Sequence, residues 1–454
     1  MNIIHYVIGI PPYRHGGAVK YAIDLLKAQS SFDNVNVCLL IPGDTLTFFN
    51  KSKIKKRNDF DGIPCFSIEN PVIEPLLYGI KNADYILKGE RAFVKNSLEQ
   101  FYGIVKPDLI HIHTLMGLSK QFVTFMKNKG VKMVMTSHDY FGFCPKVNMI
   151  NESNDLCTHP NGRLCAQCNK YSPSLLFLKI CNSDLFLKYK HLLPIKAANV
   201  KKSVPSQANS LNISNEEVKS YEKLFSHYME LFSLMDAIHF NSTITKTIYK
   251  QFLPLIPYNS EVIPITTNYI KDRRKKRTFN KPIIEFGFIG GLRLYKGFPL
   301  LKSALIGLSK KGKNNFVLNV WEDGLKGKDQ DLDNIVYRGK YGKKDLDNVF
   351  GKIDLLIVPS VWKETFSLVT MEALSFGTPV LVSDNVGAKD LVIKVFESFV
   401  FKTKNDLLSI LENILNNPTV LERYNNKIVE CNDLNFSEHN HASQILNWYQ
   451  KIIA

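Results

Sequence analysis

The sequence predicts an α/β protein made of two doubly wound parallel sheets, and three observations carry that expectation. Strand-like apolar runs alternate with helix-like segments over roughly the first 140 residues, and a second alternating series begins after residue 282. A polar, basic stretch without apolar periodicity, residues 266–282, lies between them and ends in a proline. At 454 residues the chain also exceeds the size at which one hydrophobic core stops growing.

In order along the chain, residues 5–10 read as a strand, and Gly16-Gly17 opens a helix with Val19, Ile23, Leu25 and Leu26 at apolar positions. Residues 35–41, 109–113 and 131–138 read as the next strands. Residues 141–235 differ in kind: they contain cysteines, are rich in Asn and Ser, and are expected to form an insertion. Within them, residues 175–194 carry apolar side chains on more than one face. That fits a pair of short helices packed on the first sheet, or a surface for a lipid-linked acceptor or the bilayer. Strands resume at 237–242 and 261–265, and after the linker at 283–290, 316–321, 334–339, 354–358 and 379–383. The segment 437–453 places Ile445, Trp448, Tyr449 and Ile452 at the spacing of a core-facing helix. The expected domains are residues 1–268, with the insertion at about 141–235, then 269–436, and a terminal helix over 437–454.

A hydrophobic content of 45% with 22% charged residues is ordinary for a globular protein. The opening residues lack a basic n-region and break at Pro11-Pro12, so they read as a first strand rather than a signal peptide. No window approaches the ~20 apolar residues that span a bilayer. The expectation is a cytoplasmic protein, or one peripheral to the inner face of a membrane. The net charge of +16 is partly concentrated in residues 51–57 and 271–277. Such runs are solvated or meet an anionic membrane surface. Without interleaved aromatics or a nucleic-acid-binding motif, they do not point to nucleic acid.

The chemistry concentrates between residues 354 and 380. An apolar strand runs into Pro359-Ser360, Glu364 follows in a polar loop, and Glu372 comes eight positions later in a helical segment. Carboxylates accept paired hydrogen bonds from vicinal diols, and ligands of open α/β sheets sit at strand C-termini. Upstream, a strand ends at Gly290-Gly291, and Arg293 and Lys296-Gly297 follow at a predicted helix start. Small residues admit a ligand closely, and a lysine offers a point charge to a phosphate oxygen. Gly16-Gly17 repeats a weaker version of this arrangement in the first half. His138-Asp139 ends the fourth strand, while His111 and His113 share one strand face and suit a structural role better than catalysis. Cys144, Cys157, Cys165 and Cys168 are spaced C-x12-C-x7-C-x2-C, which leaves a structural zinc, unligated thiols or a disulfide open.

Taken in this order, Gly16-Gly17, His111-x-His113, His138-Asp139, Gly290-Gly291…Lys296-Gly297 and Glu364-x7-Glu372 resemble glycosyltransferase family four, the retaining glycosyl transferases group 1. The resemblance implies the GT-B fold: two Rossmann-like domains facing a cleft, with the C-terminal helix crossing back to the first. It implies a hexosyltransferase (EC 2.4) that uses a nucleotide-diphosphate sugar and needs no cofactor or divalent cation for its chemistry. By the same resemblance Glu364 accepts hydrogen bonds from the transferred sugar, Glu372 takes the ribose diol, and His138 stands near the reacting sugar. Gly16, Gly17, Gly290, Gly291, Arg293 and Lys296, with backbone N–H groups around Phe366, Ser367 and Leu368, hold the donor. Two departures are visible: Gly291 stands where many relatives carry arginine, and Ser367 where many carry glycine. The acceptor implied is a glycan, either soluble or lipid-linked, as in bacterial capsule, O-antigen or exopolysaccharide assembly. A nucleotide-sugar epimerase and a non-catalytic nucleotide- or glycan-binding protein are the alternatives from other classes.

Overall fold

The computed structural model describes residues 1–47, 50–190, 212–322 and 326–454. It divides into two compact units. The first comprises Met1–Phe240, Tyr249–Glu261 and Ala442–Ala454, and the second Asn241–Ile248 and Val262–His441.

The first unit is organised on a sheet of eight strands: β1 (Asn2–Tyr6), β2 (Asn36–Pro42), β3 (Lys53–Lys56), β4 (Cys65–Glu69), β5 (Leu109–Ile112), β6 (Lys132–Thr136), β7 (Ala237–Phe240) and β8 (Glu261–Val262). Their order is β3-β4-β2-β1-β5-β6-β7-β8. β1 pairs in parallel with β2 and β5, β5 with β6, and β6 with β7, while β3 runs antiparallel to β4 at the edge. The central strands are buried on both faces, and His5 of β1 and His111 of β5 interrupt their otherwise apolar runs. The first strand stops at Tyr6 rather than reaching residue 10, because its pairing with both neighbours ends there. Part of the basic run 51–57 forms edge strand β3, whose Lys53, Lys55 and Lys56 are exposed. Lysines on an edge strand deter a further strand from adding.

In the insertion, the Gly162–Asn169, Leu175–Cys181, Asp184–Tyr189 and Asn215–Ser233 helices each begin at an Asn or Ser that accepts a backbone N–H. Ser214 and Glu217 close a full capping box on the last of them. Residues 175–189 are thus two short helices, with Leu178 and Cys181 buried but Leu176, Phe177, Ile180 and Leu185 exposed. Residues 191–194, included in the apolar stretch read from the sequence, lie outside the described residues.

The second unit carries seven strands: β9 (Ile284–Ile289), β10 (Phe316–Trp321), β11 (Lys326–Lys328), β12 (Ile335–Arg338), β13 (Leu355–Val358), β14 (Val380–Ser383) and β15 (Val400–Phe401). Their order is β11-β12-β10-β9-β13-β14-β15, with only β11 antiparallel to its neighbour. The stretch 266–282 is not a solvated linker but a strap built into this unit. Arg274 donates to the carbonyls of Ile428 (2.7 Å) and Cys431 (2.6 Å) at the end of the Thr419–Glu430 helix, where the helix dipole favours a cation. Arg277 donates to Ile353 O at 2.9 Å, and Lys281 pairs with the buried Asp354 at 2.8 Å. Ile445, Trp448, Tyr449 and Ile452 of the Glu438–Ile453 helix are all buried, and Trp448 Nε1 donates to Asn259 O at 2.6 Å within the first unit.

Candidate active site

In the second unit, β9 delivers Gly290-Gly291 and β13 delivers Pro359-Ser360 to the same edge of the sheet, since the two strands are neighbours. The loops are locked together. Tyr295 O accepts the N–H groups of Val361 (2.9 Å) and Trp362 (3.3 Å). Gly297, at φ 78°, caps the Phe298–Lys310 helix so close to Pro359 that a Cβ would lie 1.8 Å from the Pro359 carbonyl oxygen. No side chain fits there. Residue 364 is held from its other side: its N–H donates to Asn385 O, and its carbonyl accepts from Gly387 N, both at 2.8 Å.

This frame brings Lys296 to Glu364. The ammonium lies 2.9 Å from Glu364 Oε1 and 5.4 Å from the centre of the Trp362 ring, and Ser360 Oγ donates to Glu364 Oε2. Glu372 sits within the Leu368–Ser375 helix and is buried. Tyr269 OH donates to its Oε1 at 2.5 Å and Tyr341 OH to its Oε2 at 3.0 Å. Burial, then the charge of Glu372 and the hydrogen bond to it, raises the Tyr341 phenol far above its ordinary range. Tyr341 also lines a cavity of about 230 Å³ with Gly290, Gly291, Trp321, Glu322 and Lys340. A carboxylate offers about four acceptor positions, so two phenols do not exhaust the capacity of Glu372.

Phe366 is buried, and its carbonyl accepts Ala388 N at 2.7 Å. Ser367 caps the next helix at φ 103°, a region that favours glycine, and this explains physically why glycine suits the position. The backbone N–H groups of Ser367 and Leu368 start that helix, where an anion is favoured. Arg293 is exposed and turned to its own neighbour, with its guanidinium 6.0 Å from the Tyr295 ring centre and Nη1 3.3 Å from Tyr295 OH. It does not join Lys296 and Glu364. Tyr269 and Tyr341 escape the sequence reading as site residues, and Ser360 enters it only as the residue that ends the strand.

Gly16, Gly17 and His138 belong to the first unit. Gly16, at φ 137°, precedes the Gly17–Gln29 helix, and a Cβ there would meet nothing within 4 Å. His138 follows β6, and its partly exposed ring stands 5.1 Å edge-on to Tyr21 of that helix. Desolvation pushes its pKa down to about 3, so it works as a neutral imidazole. His111 and His113 do share a face, and with His5 they place ring nitrogens within 4.8 Å of one another. Those nitrogens already exchange hydrogen bonds, for example His5 Nδ1 with His113 Nε2 at 3.0 Å. Among the described residues no other three histidine, cysteine or acidic side chains converge so closely.

The four cysteines, for which a structural zinc, unligated thiols or a disulfide stood open, are free thiols, and no three of their sulfurs lie within 4.8 Å of one another. Burial pushes the Cys144 thiol up to about 11 and also raises that of Cys165, which feels the charges of Cys144, Cys157 and Cys168 as well. The Cys168 sulfur faces the Lys146 ammonium at 3.0 Å instead. No described helix is long and apolar enough to cross a membrane.

Two mostly parallel sheets of this order, each wrapped by helices, are the GT-B architecture. Sucrose-phosphate synthase from Thermosynechococcus elongatus superposes with a TM-score of 0.56 at 13% identity, covering 100% of this chain and 99% of that one. HepE of Anabaena, solved with UDP and glucose, gives 0.54 at 15% identity with 99% of each chain covered. An Escherichia coli trehalose-6-phosphate structure bound with UDP-2-fluoro glucose gives 0.54 at 11%, covering 99% of this chain and 98% of that one. No curated protein matches by sequence. Residues 270–430 match the family described as Glycosyl transferases group 1, and with the GT-B fold this match supports a glycosyltransferase (EC 2.4).

Proposed function

We propose that the protein transfers a sugar from a nucleotide-diphosphate sugar to a glycan hydroxyl with retention of anomeric configuration. The observation that carries this reading is the pair of carboxylates held apart on one loop and helix, Glu364 by Lys296 and Ser360, and Glu372 by two phenols. Glu372 beside the Tyr341 cavity suits the nucleoside end, with the ribose diol donating to the carboxylate. Glu364 suits the sugar hydroxyls, and Lys296 with the N–H groups of the Leu368–Ser375 helix start suits the diphosphate between them. UDP and ADP accompany several of the similar structures, which makes them the first nucleotides to try.

In the proposed step the acceptor oxygen attacks the anomeric carbon from the leaving-group face. The bond to the diphosphate breaks, and the departing phosphate oxygen takes the acceptor proton. Lys296 and the helix-end N–H groups stabilise the charge that develops. His138, neutral in the folded state, is assigned a place beside the reacting sugar, where its ring nitrogen can accept from a sugar hydroxyl.

For the acceptor, the first unit holds a cavity of about 410 Å³ lined by Ile10, Arg14, Glu74, Asn182 and Leu187 among others, a mixture of amide, charge and apolar surface that suits a glycan. Beside it, the exposed Leu176, Phe177, Ile180 and Leu185 lie on helices that also carry Lys179 and Lys188. That combination favours a lipid-linked acceptor presented at an anionic membrane, of the kind used in surface polysaccharide assembly.

The test is a thermal-shift screen against UDP-, GDP- and ADP-sugars, followed by mass spectrometry of products with lipid-linked and soluble glycan acceptors. A chain that neither binds a nucleotide-sugar nor forms product with any acceptor would overturn the reading.

A further inference from the structure

Behind His138 the first unit holds a continuous chain of buried imidazoles. His138 Nε2 lies 3.2 Å from His113 Nδ1, His113 Nε2 lies 3.0 Å from His5 Nδ1, and His5 Nε2 lies 2.9 Å from Gln29 Oε1. A parallel chain runs from Tyr449 OH to His111 Nδ1, from His111 Nε2 to Thr136 Oγ1 (2.6 Å), and from Thr136 Oγ1 to His239 Nδ1 (2.9 Å). His5, Gln29, His111, Thr136 and His239 are fully buried, and His138 is the point where the first chain approaches solvent.

A neutral imidazole has one N–H and one bare nitrogen, so each link fixes the next. The Gln29 carbonyl can only accept; His5 must then carry its proton on Nε2 and present a bare Nδ1. His113 is forced to donate from Nε2, and His138 likewise. Burial lowers the pKa of His5 to about 4 and that of His113 well below its ordinary value, so a charged ring does not interrupt the sequence. The second chain obeys the same logic when the Tyr449 hydroxyl donates to His111.

We propose that Gln29 is a positioning residue whose amide sets the polarity of this imidazole chain, holding His138 in the Nε2–H tautomer with its lone pair on Nδ1. The inference rests on the reading of His138 as a group at the transfer site, but its first test does not. An apolar core would have packed the sheet without these rings; each ring link is made, while the other end of the Gln29 amide, Nε2, is buried without a hydrogen-bond partner. Here the links lead from a fully buried amide on the Gly17–Gln29 helix to a ring at the end of β6. Gln29 would thus act on a sugar it never touches.

The first experiment is a long-range proton–nitrogen correlation spectrum of the full chain with 15N-labelled histidine, assigned by single histidine substitutions. His5, His113 and His138 should all show the Nε2–H tautomer and stay neutral from about pH 6 to about pH 8. An Nδ1–H tautomer at any of the three overturns the proposal, whether or not transfer is observed. The second compares variants under saturating donor. Gln29→Met should lower kcat about tenfold with the donor KM unchanged and give mixed tautomers, because the orienting acceptor is gone. Gln29→Glu, which still accepts from His5, should restore both. Equal losses in the two variants, or a loss confined to KM, would overturn it. Absence of transfer in the wild-type chain with any donor would instead sink the proposed function and leave the tautomer result standing.

Discussion

Replacing Glu364 by glutamine separates its proposed sugar role from a role in binding the nucleotide. In the structure the Lys296 ammonium is 2.9 Å from Glu364, with 30% and 11% of the two side chains exposed. Unit charges about 4 Å apart attract by about 4 kcal/mol at an effective dielectric of about 20. The exposure of Lys296 discounts this toward the exposed-pair range, leaving about 1–2 kcal/mol. Glu364→Gln keeps size and the contact with Ser360 while removing the charge that competes with a phosphate for Lys296. Affinity for the nucleoside diphosphate should therefore stay level or tighten by up to about tenfold, about 1.4 kcal/mol. Transfer should fall by about a hundredfold or more, because the sugar loses the acceptor that orients it. Calorimetric titration with the diphosphate and product quantification by mass spectrometry measure the two quantities. If diphosphate binding collapses together with transfer, Glu364 supports the loop rather than the sugar, and the assignment is refuted.

Gly297→Ala should abolish transfer and weaken the nucleoside diphosphate much more than the free nucleoside, since its Cβ would collide with Pro359 O and displace Lys296; titration with both ligands checks this. Ser367→Gly should raise unfolding stability by about 1 kcal/mol by relieving a φ of 103°, and urea denaturation with no change would remove the argument for strain there. Acid stability should be governed by the buried imidazoles. The folded pKa of His5 is depressed to about 4, so its contribution is fully present above the unfolded value of about 6.5 and is lost as pH falls through about 4. The span is worth about 3 kcal/mol at ~1.4 kcal/mol per pH unit, and His5→Phe should flatten the pH dependence of stability measured by denaturation across that window.

The parts of the site that could be read in the sequence are those built from short local segments. Gly290 to Gly297 and Glu364 to Glu372 each lie on one strand–loop–helix passage, so their chemistry is ordered along the chain as it is in space. Tyr269 and Tyr341 could not be found this way. They reach Glu372 from 103 and 31 residues away, and Tyr269 sits in a stretch whose basic composition suggested a linker. The same composition misled for a physical reason: the cations of 274–281 cap a helix end and neutralise buried Asp354, which a count of charges cannot reveal. Spacing predicted that His111 and His113 share a face, yet the chain they join depends on the register of β1 against β5 and on Gln29 at a helix end. Buried Gln29 and Asp24 on the otherwise apolar face of that helix were the one local hint.

The two carboxylates of the second unit are never left as buried, unpaired charges. Glu364 has an ammonium and a hydroxyl, and Glu372 two phenols, so on the proposed assignment an incoming donor joins or exchanges partners that are already hydrogen-bonded. Such exchanges contribute little net free energy for each bond gained, whereas a buried group left unmatched costs about 1–3 kcal/mol. On the proposed assignment, discrimination between donors rests on mismatch. A sugar whose hydroxyl fails to replace the Lys296 or Ser360 contact leaves Glu364 under-satisfied, and one that fits restores every partner. The proposed assignment places donor specificity in the positions of Ser360, Lys296 and Glu364 relative to one another, which the contact of Gly297 with Pro359 fixes.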